Sequence, residues 1–140
     1  MSMEQSYPLK IQPTSYNVRM PTIPTEIQGQ KYISLTTYRL IGIGVRTPIW
    51  FGEEGGKLYF MTDSKSGKVK RLHNDLKVQI APCTIRGKVT GPDYAATARF
   101  MHPQEFAQAR RLINKKYWLA RIPFLWRKSD TYIELTPTSA

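Results

Sequence analysis

The 140-residue sequence predicts a mainly β domain, a small antiparallel barrel of six strands with short helices at its rim. Three observations support this reading. Runs rich in β-branched and aromatic residues, several with two-residue alternation, recur down the chain and are bounded by Gly, Pro, Asn or Asp. Only one stretch sustains a long helical period. The connections between runs are mostly turns, too short for the crossovers that parallel strands need. The length suits one domain with its own core.

Residues 1–24 carry Pro8, Pro13, Pro21 and Pro24 without sustained periodicity. Each proline removes a backbone donor and pushes its predecessor towards extended geometry, so this stretch is expected to be an arm ahead of a domain spanning 25–140. TEIQGQ (25–30) suits one short helical turn. KYISLTTYR follows as the first strand, with Ile33, Leu35 and Thr37 on one face and Tyr32, Ser34 and Thr36 on the other.

Residues 45–52 (VRTPIWFG) and 57–62 (KLYFMT) read as an antiparallel pair joined by EEGG, whose glycines suit a tight hairpin. Residues 64–75 predict a short helix that buries Val69 and Leu72, with Ser64 as a candidate cap and Asn74-Asp75 as the stop. LKVQIAPC (76–83) and YAATARFM (94–101) are further strands separated by a turn-rich RGKVTGPD. Pro103 opens the one long helix, in which Phe106, Ala109, Ile113 and Tyr117 recur at helical spacing, and TYIELTP (131–137) is the last strand.

Composition bounds the function. Twenty-one Lys and Arg against ten Asp and Glu give +11, which favours anionic partners: nucleic acid, phospholipid or a phosphorylated cofactor. A single cysteine, Cys83, rules out an internal disulfide and a cysteine-based zinc cluster. No apolar run approaches the roughly 18 to 20 residues of a membrane span, and MSMEQSYPLK has no signal-peptide core, so a cytoplasmic protein without a membrane segment is expected.

The catalytic inventory is thin. His73 and His102 lie in neither an HxH nor an HExxH arrangement, and Cys83 falls in the apolar end of a strand, where a buried inert thiol is usual. No GxSxG is present and the acids are scattered apart from Glu53-Glu54. We therefore expect no catalytic side chain and no metal, with any reactive atoms brought by a cofactor.

One segment does suggest a ligand. In YFMTDSKSGKVKRL (59–72) a strand ends and a helix begins, leaving first-turn N–H groups unsatisfied beside a positive helix terminus. Such a turn binds phosphate. Ser66 adds a hydroxyl, Gly67 permits close approach, Lys68 supplies a charge-assisted bond and Arg71, one turn on, would reinforce it. SGK is not a P-loop, because Thr62 and Val69 stand where that motif needs Gly and Ser or Thr. A solvated basic helix explains these residues about as well on local grounds. Context favours the socket: RTPIWF (46–51), on the strand paired with YFMT, would line the same side of the barrel. Pro48 belongs at a strand edge there, and Trp50 and Phe51 are either ring-facing or core aromatics.

KYISLTTYR, VRTPIWF, KLYFMTDSKSGKVKRL, VQIAPC, RGKVTGP and YAATARF, in this order, resemble the pyridoxamine 5'-phosphate oxidase-like flavin-binding split-barrel superfamily. Within it they are most similar to the small deazaflavin (coenzyme F-420)-dependent oxidoreductases, over about residues 28–137. The resemblance implies a six-stranded split β-barrel and a homodimer with two cofactors at the subunit interface. It also implies hydride transfer by FMN or a deazaflavin to a small organic substrate. It places Arg46, Thr47, Pro48, Ile49, Trp50 and Phe51 beside the ring and ribityl chain, Met61 and Thr62 on the next strand, and Ser66, Gly67 and Lys68 at the phosphate. The deazaflavin's oligoglutamate tail suits the basic composition. One departure is LIGIG (40–44), where relatives have a polar turn; Leu40, Ile41 and Ile43 are expected to pack against a partner or substrate.

Two rivals remain. A non-catalytic flavin-binding or carrier protein would use the same site. A nucleic-acid-binding barrel, ranked third, would use Arg99, Arg110, Arg111, Lys115, Lys116, Arg121, Arg127 and Lys128 with the interleaved Tyr117, Trp118, Phe124 and Trp126. The helical spacing of Phe106, Ile113 and Tyr117 already assigns part of that set to packing.

Overall fold

The computed structural model describes residues 21–117 and 129–138. The expected arm up to residue 20, and Trp118, Arg121, Phe124, Trp126, Arg127 and Lys128, lie outside the described residues. Ile23, within the expected arm, is buried in the core.

Among the described residues seven strands form one antiparallel sheet: β1 (Ile33–Tyr38), β2 (Gly44–Ile49), β3 (Gly52–Glu54), β4 (Lys57–Thr62), β5 (Lys77–Pro82), β6 (Tyr94–Phe100) and β7 (Thr131–Pro137). Their order is β2-β1-β5-β6-β7-β4-β3. The two edge strands, β2 and β3, are consecutive in sequence, and only Trp50 and Phe51 separate them. Three Cα steps reach at most about 11 Å, whereas seven flat strands would be about 29 Å across. The sheet must therefore curl until its edges meet, closing a split barrel through a covalent link instead of a ladder.

This corrects the expectation that residues 45–52 form one strand paired with 57–62. The run divides: Gly44–Ile49 pairs with β1, Ile33 facing Ile49 and Thr37 facing Val45, while Gly52–Glu54 pairs with β4. The physical reason is that an edge strand passing from one end of a curled sheet to the other needs no turn residue. The EEGG hairpin itself is as expected, with Gly55 and Gly56 both at positive φ, 61° and 78°, as a two-residue primed turn requires. Pro48 lies on an edge strand, the place where a missing ladder donor costs least.

Helix α1 runs over Gly67–Asn74 and packs Val69 and Leu72 inward against the barrel. Its cap is Ser66, whose Oγ accepts from the Val69 N–H at 3.4 Å. Ser64 is occupied elsewhere: its N–H and hydroxyl both donate to the Asp130 carboxylate at 2.8 Å, a partner remote in sequence. Helix α2 (Phe106–Lys116) follows a 3-10 turn at Pro103–Glu105. It covers the outer face of β3 and β4 so closely that a Cβ on Gly52 would stand 2.9 Å from Leu112 Cβ and 3.3 Å from the Ile113 nitrogen.

The alternation of β4 divides the interior in two. Leu58 and Phe60 join Ile33, Leu35, Phe51, Ile80, Ile133 and Leu135 inside the barrel. Tyr59 and Met61 face outward, beneath α2, with Ile113, Tyr117 and Tyr132. Thr36 Oγ1 and Asn114 Oδ1 are buried without a hydrogen-bond partner.

Arg99 ties the 3-10 turn to the sheet. Its guanidinium donates to both Glu105 oxygens at 3.1 and 2.9 Å and to both oxygens of buried Glu134 at 3.1 Å. The Arg99 bonds, with the His102 N–H second, pull the Glu105 carboxyl down to about 2 from an ordinary 4.5. Because the folded value lies below the unfolded one, this stabilisation is complete above about 4.5 and is lost as pH falls towards 2. Urea midpoints measured across that window should fall more steeply for the wild-type protein than for Glu105→Gln, the two curves converging at its acid end.

Candidate functional site

Where β2 ends, a cleft of about 280 Å³ opens between the outer face of the sheet and α2, lined by Pro48, Ile49, Trp50, Met61, Lys68, Ile113 and Ser129. Each wall has a local cause. Period-two alternation turns Met61 outward between buried Phe60 and Thr62, and Trp50 leaves the sheet at the β2 to β3 crossing. Trp50 is held by a parallel stack on Tyr117, ring centroids 4.8 Å apart and planes 5° from coplanar. The Tyr117 hydroxyl donates to the Lys31 carbonyl and accepts from the Phe51 N–H at 3.2 Å, and burial pushes its phenol well above the ordinary range.

At the polar end of the cleft stands the start of α1. Thr62 is buried at the end of β4, its Oγ1 3.4 Å from Ser66 Oγ. Among the described residues no protein acceptor is recorded for the N–H of Gly67 or Lys68. Arg71 folds back over this turn: its Nε donates to Thr37 Oγ1 at 2.7 Å, and a Cβ on Gly67 would meet its Nη1 at 2.9 Å. Lys68 is half-buried with no carboxylate at ion-pairing distance among the described residues. Burial pulls its ammonium below the ordinary lysine range, the neighbouring Arg71 charge adds to that, and Asp63 opposes it. Among the described residues, the cations Lys68 and Arg71 and the N–H groups of Gly67 and Lys68, which have no protein acceptor, thus gather at the α1 start. A phosphate supplies a counter-charge and accepts from those donors, so the residues present fit it.

The structure brings together Pro48, Ile49, Trp50, Met61 and Lys68 around the cleft, with Thr62, Ser66, Gly67 and Arg71 beside it. It separates three others. Phe51 is fully buried in the barrel core, with Lys116 Nζ 3.4 Å above its ring. Arg46 makes a bidentate pair with Asp93 at 3.0 and 2.7 Å and a 3.3 Å bond to Ser34. Thr47 lies on β2 opposite Leu35 and does not line the cleft. Tyr117, Ile113, Ser129 and Thr37 were not expected at the site. Thr37 carries a legible signal, a hydroxyl on the face otherwise formed by Ile33 and Leu35, and Arg71 satisfies it.

Cys83 is buried, and burial raises its thiol above the ordinary range. Among the described residues no three His, Cys, Asp or Glu side chains gather as a metal site would require, and no helix is long and apolar enough to cross a membrane.

No family model matches the chain, and no curated protein matches it by sequence. Solved structures do match. HutZ, the heme storage protein from Vibrio cholerae, superposes with TM-score 0.65 at 12% identity, covering 81% of this chain and 85% of its own. An F420 reductase matches with TM-score 0.56 at 16% identity over 84% and 94%. A candidate pyridoxamine 5'-phosphate oxidase from Listeria innocua gives 0.55 at 14% over 79% and 86%. At these identities the likeness concerns architecture: the chain is a split barrel of the kind found in pyridoxamine 5'-phosphate oxidase-like proteins, as the ordered sequence segments imply.

Proposed function

We propose that the cleft and the α1 N-terminus hold the ring and the phosphate of FMN or a deazaflavin, and that the protein is an oxidoreductase acting on a small organic substrate. The observation that carries this reading is the placement of half-buried Lys68, without an ion-pair partner among the described residues, where a cleft walled by Trp50 meets helix-start N–H groups that have no acceptor among those residues. When bound, such a cofactor supplies a hydride. The chain's own part is binding and orientation: Trp50, braced by Tyr117, and Met61 provide apolar walls, while Lys68 and Arg71 neutralise the phosphate. Among the described residues that line the cleft there is no carboxylate, histidine or cysteine.

At about 280 Å³ the cleft is small beside the roughly 300 to 1,000 Å³ of a complete small-molecule site. One chain would therefore form one wall, and a second copy would complete the site, which is the homodimer that the sequence resemblance implies. A carrier protein would use the same contacts without turnover, and the heme-storage neighbour makes heme the third ligand to test.

The test is absorbance titration of the purified full chain with FMN, the deazaflavin and hemin. A saturable shift with one of the first two supports the reading, and turnover of a reducible acceptor separates enzyme from carrier. A shift with hemin alone, or no shift together with steeply salt-dependent nucleic-acid affinity, would contradict it.

A further inference from the structure

The β1–β2 hairpin ends in an apolar tip. Leu40 is 84% exposed, Ile41 77% and Ile43 51%. The turn is well made: the Gly42 N–H donates to the Arg39 carbonyl at 2.8 Å, the Arg39 N–H to the Ile43 carbonyl at 2.9 Å, and Gly42 takes the positive φ of 88° that the reversal needs. The exposure therefore belongs to an ordered, projecting hairpin. Neighbouring strands extend the patch. The β1–β5 ladder ends with Thr36 facing Gln79, so Tyr38 and Arg39 on one strand, and Lys77 and Leu76, itself 42% exposed, on the other, lie past it at the same end of the barrel. Four large aliphatic side chains thus share one end of the barrel with the cations Arg39 and Lys77, and Asp75 is the acid adjoining Leu76 in sequence.

We propose that this tip inserts into the interfacial layer of an anionic lipid membrane and attaches the protein there peripherally. Shape and charge select this occupant. A convex tip with side chains bare on several sides would need a matching socket in a protein partner, whereas a bilayer deforms around it. Flanking cations then meet anionic headgroups, and the chain's overall +11 charge adds long-range attraction. The tip lies at the Gly44 end of β2 and the cleft at its Ile49 end, about 17 Å away at five strand steps, so attachment leaves the cleft open. The inference stands independently of what the cleft binds.

The experiment is flotation of the full-length protein with vesicles of phosphatidylcholine alone and of phosphatidylcholine mixed with phosphatidylserine. Expected is partitioning onto the mixed vesicles, weakened by salt and lowered about a hundredfold by Leu40→Ser with Ile41→Ser, since each aliphatic side chain withdrawn from water is worth about tenfold. The pair is exposed, so its thermal midpoint should match the wild type, and Ile43→Ser should give a smaller loss. Equal partitioning of the double variant would assign binding to charge alone and overturn the proposal. So would failure of the wild type to float, or a fall in oligomeric state on light scattering without any vesicle binding, which would make the tip an interface between copies.

Discussion

Phe51→Ala should destabilise the protein by about 3 to 5 kcal/mol, the range for deleting a fully buried aromatic ring. Phe51 is 0% exposed and packs with Ile33, Leu35, Phe60 and Leu135 at the point where the barrel closes. Its ring also lies under Lys116 Nζ, which is held by Glu53 at 3.0 Å, so truncation leaves a cation above a cavity. Trp50→Ala, one residue earlier, should cost much less stability, because Trp50 is only partly buried and its stack on Tyr117 lines the cleft. Urea denaturation of both variants reads the difference directly. Near-equal losses would mean that the crossing does not divide these neighbours between core and cleft.

Lys68→Ala should weaken cofactor binding by about 1.5 to 3 kcal/mol, the worth of a hydrogen bond to a charged group. Stability of the free protein should not fall, because Lys68 forms no ion pair among the described residues and is desolvated beside Arg71. The sign follows from linkage: a lysine whose titration is lowered in the folded chain disfavours folding while protonated, so its removal relieves a cost at neutral pH. Binding by the wild type should weaken as pH rises through the lowered Lys68 titration, and that dependence should vanish in the variant. Fluorescence titration of both proteins across pH checks both outcomes.

Much of this was legible because the signals are local. Strand alternation placed β1, β4, β5, β6 and β7 close to their observed bounds, and EEGG made its turn. Helix α1 buries the two residues, Val69 and Leu72, that its spacing selects. What stayed hidden depends on partners far along the chain. Two serines compete to cap α1, and Asp130 decides between them by taking Ser64. Arg46, which the resemblance places beside the ring, forms a bidentate pair with Asp93, a partner that only folding brings alongside. The division of residues 45–52 between two sheet edges leaves no mark either, since Trp50 and Phe51 suit strand and crossing alike. The strand-to-helix junction at the α1 start was legible in its residues, whereas the anchoring of Arg71 by Thr37 needed tertiary structure.

The α1 start is proposed to read a phosphate while the cleft reads a ring. The most direct measurement compares the dissociation constants of FMN and riboflavin, or of the deazaflavin and its phosphate-free core, for the wild type and Lys68→Ala. The expected result is that the variant loses roughly tenfold or more for the phosphorylated ligand, the equivalent of about 1.4 kcal/mol or more, and nothing for the phosphate-free one. Equal losses for both ligands, or none for either, would contradict the assignment of Lys68 to the phosphate.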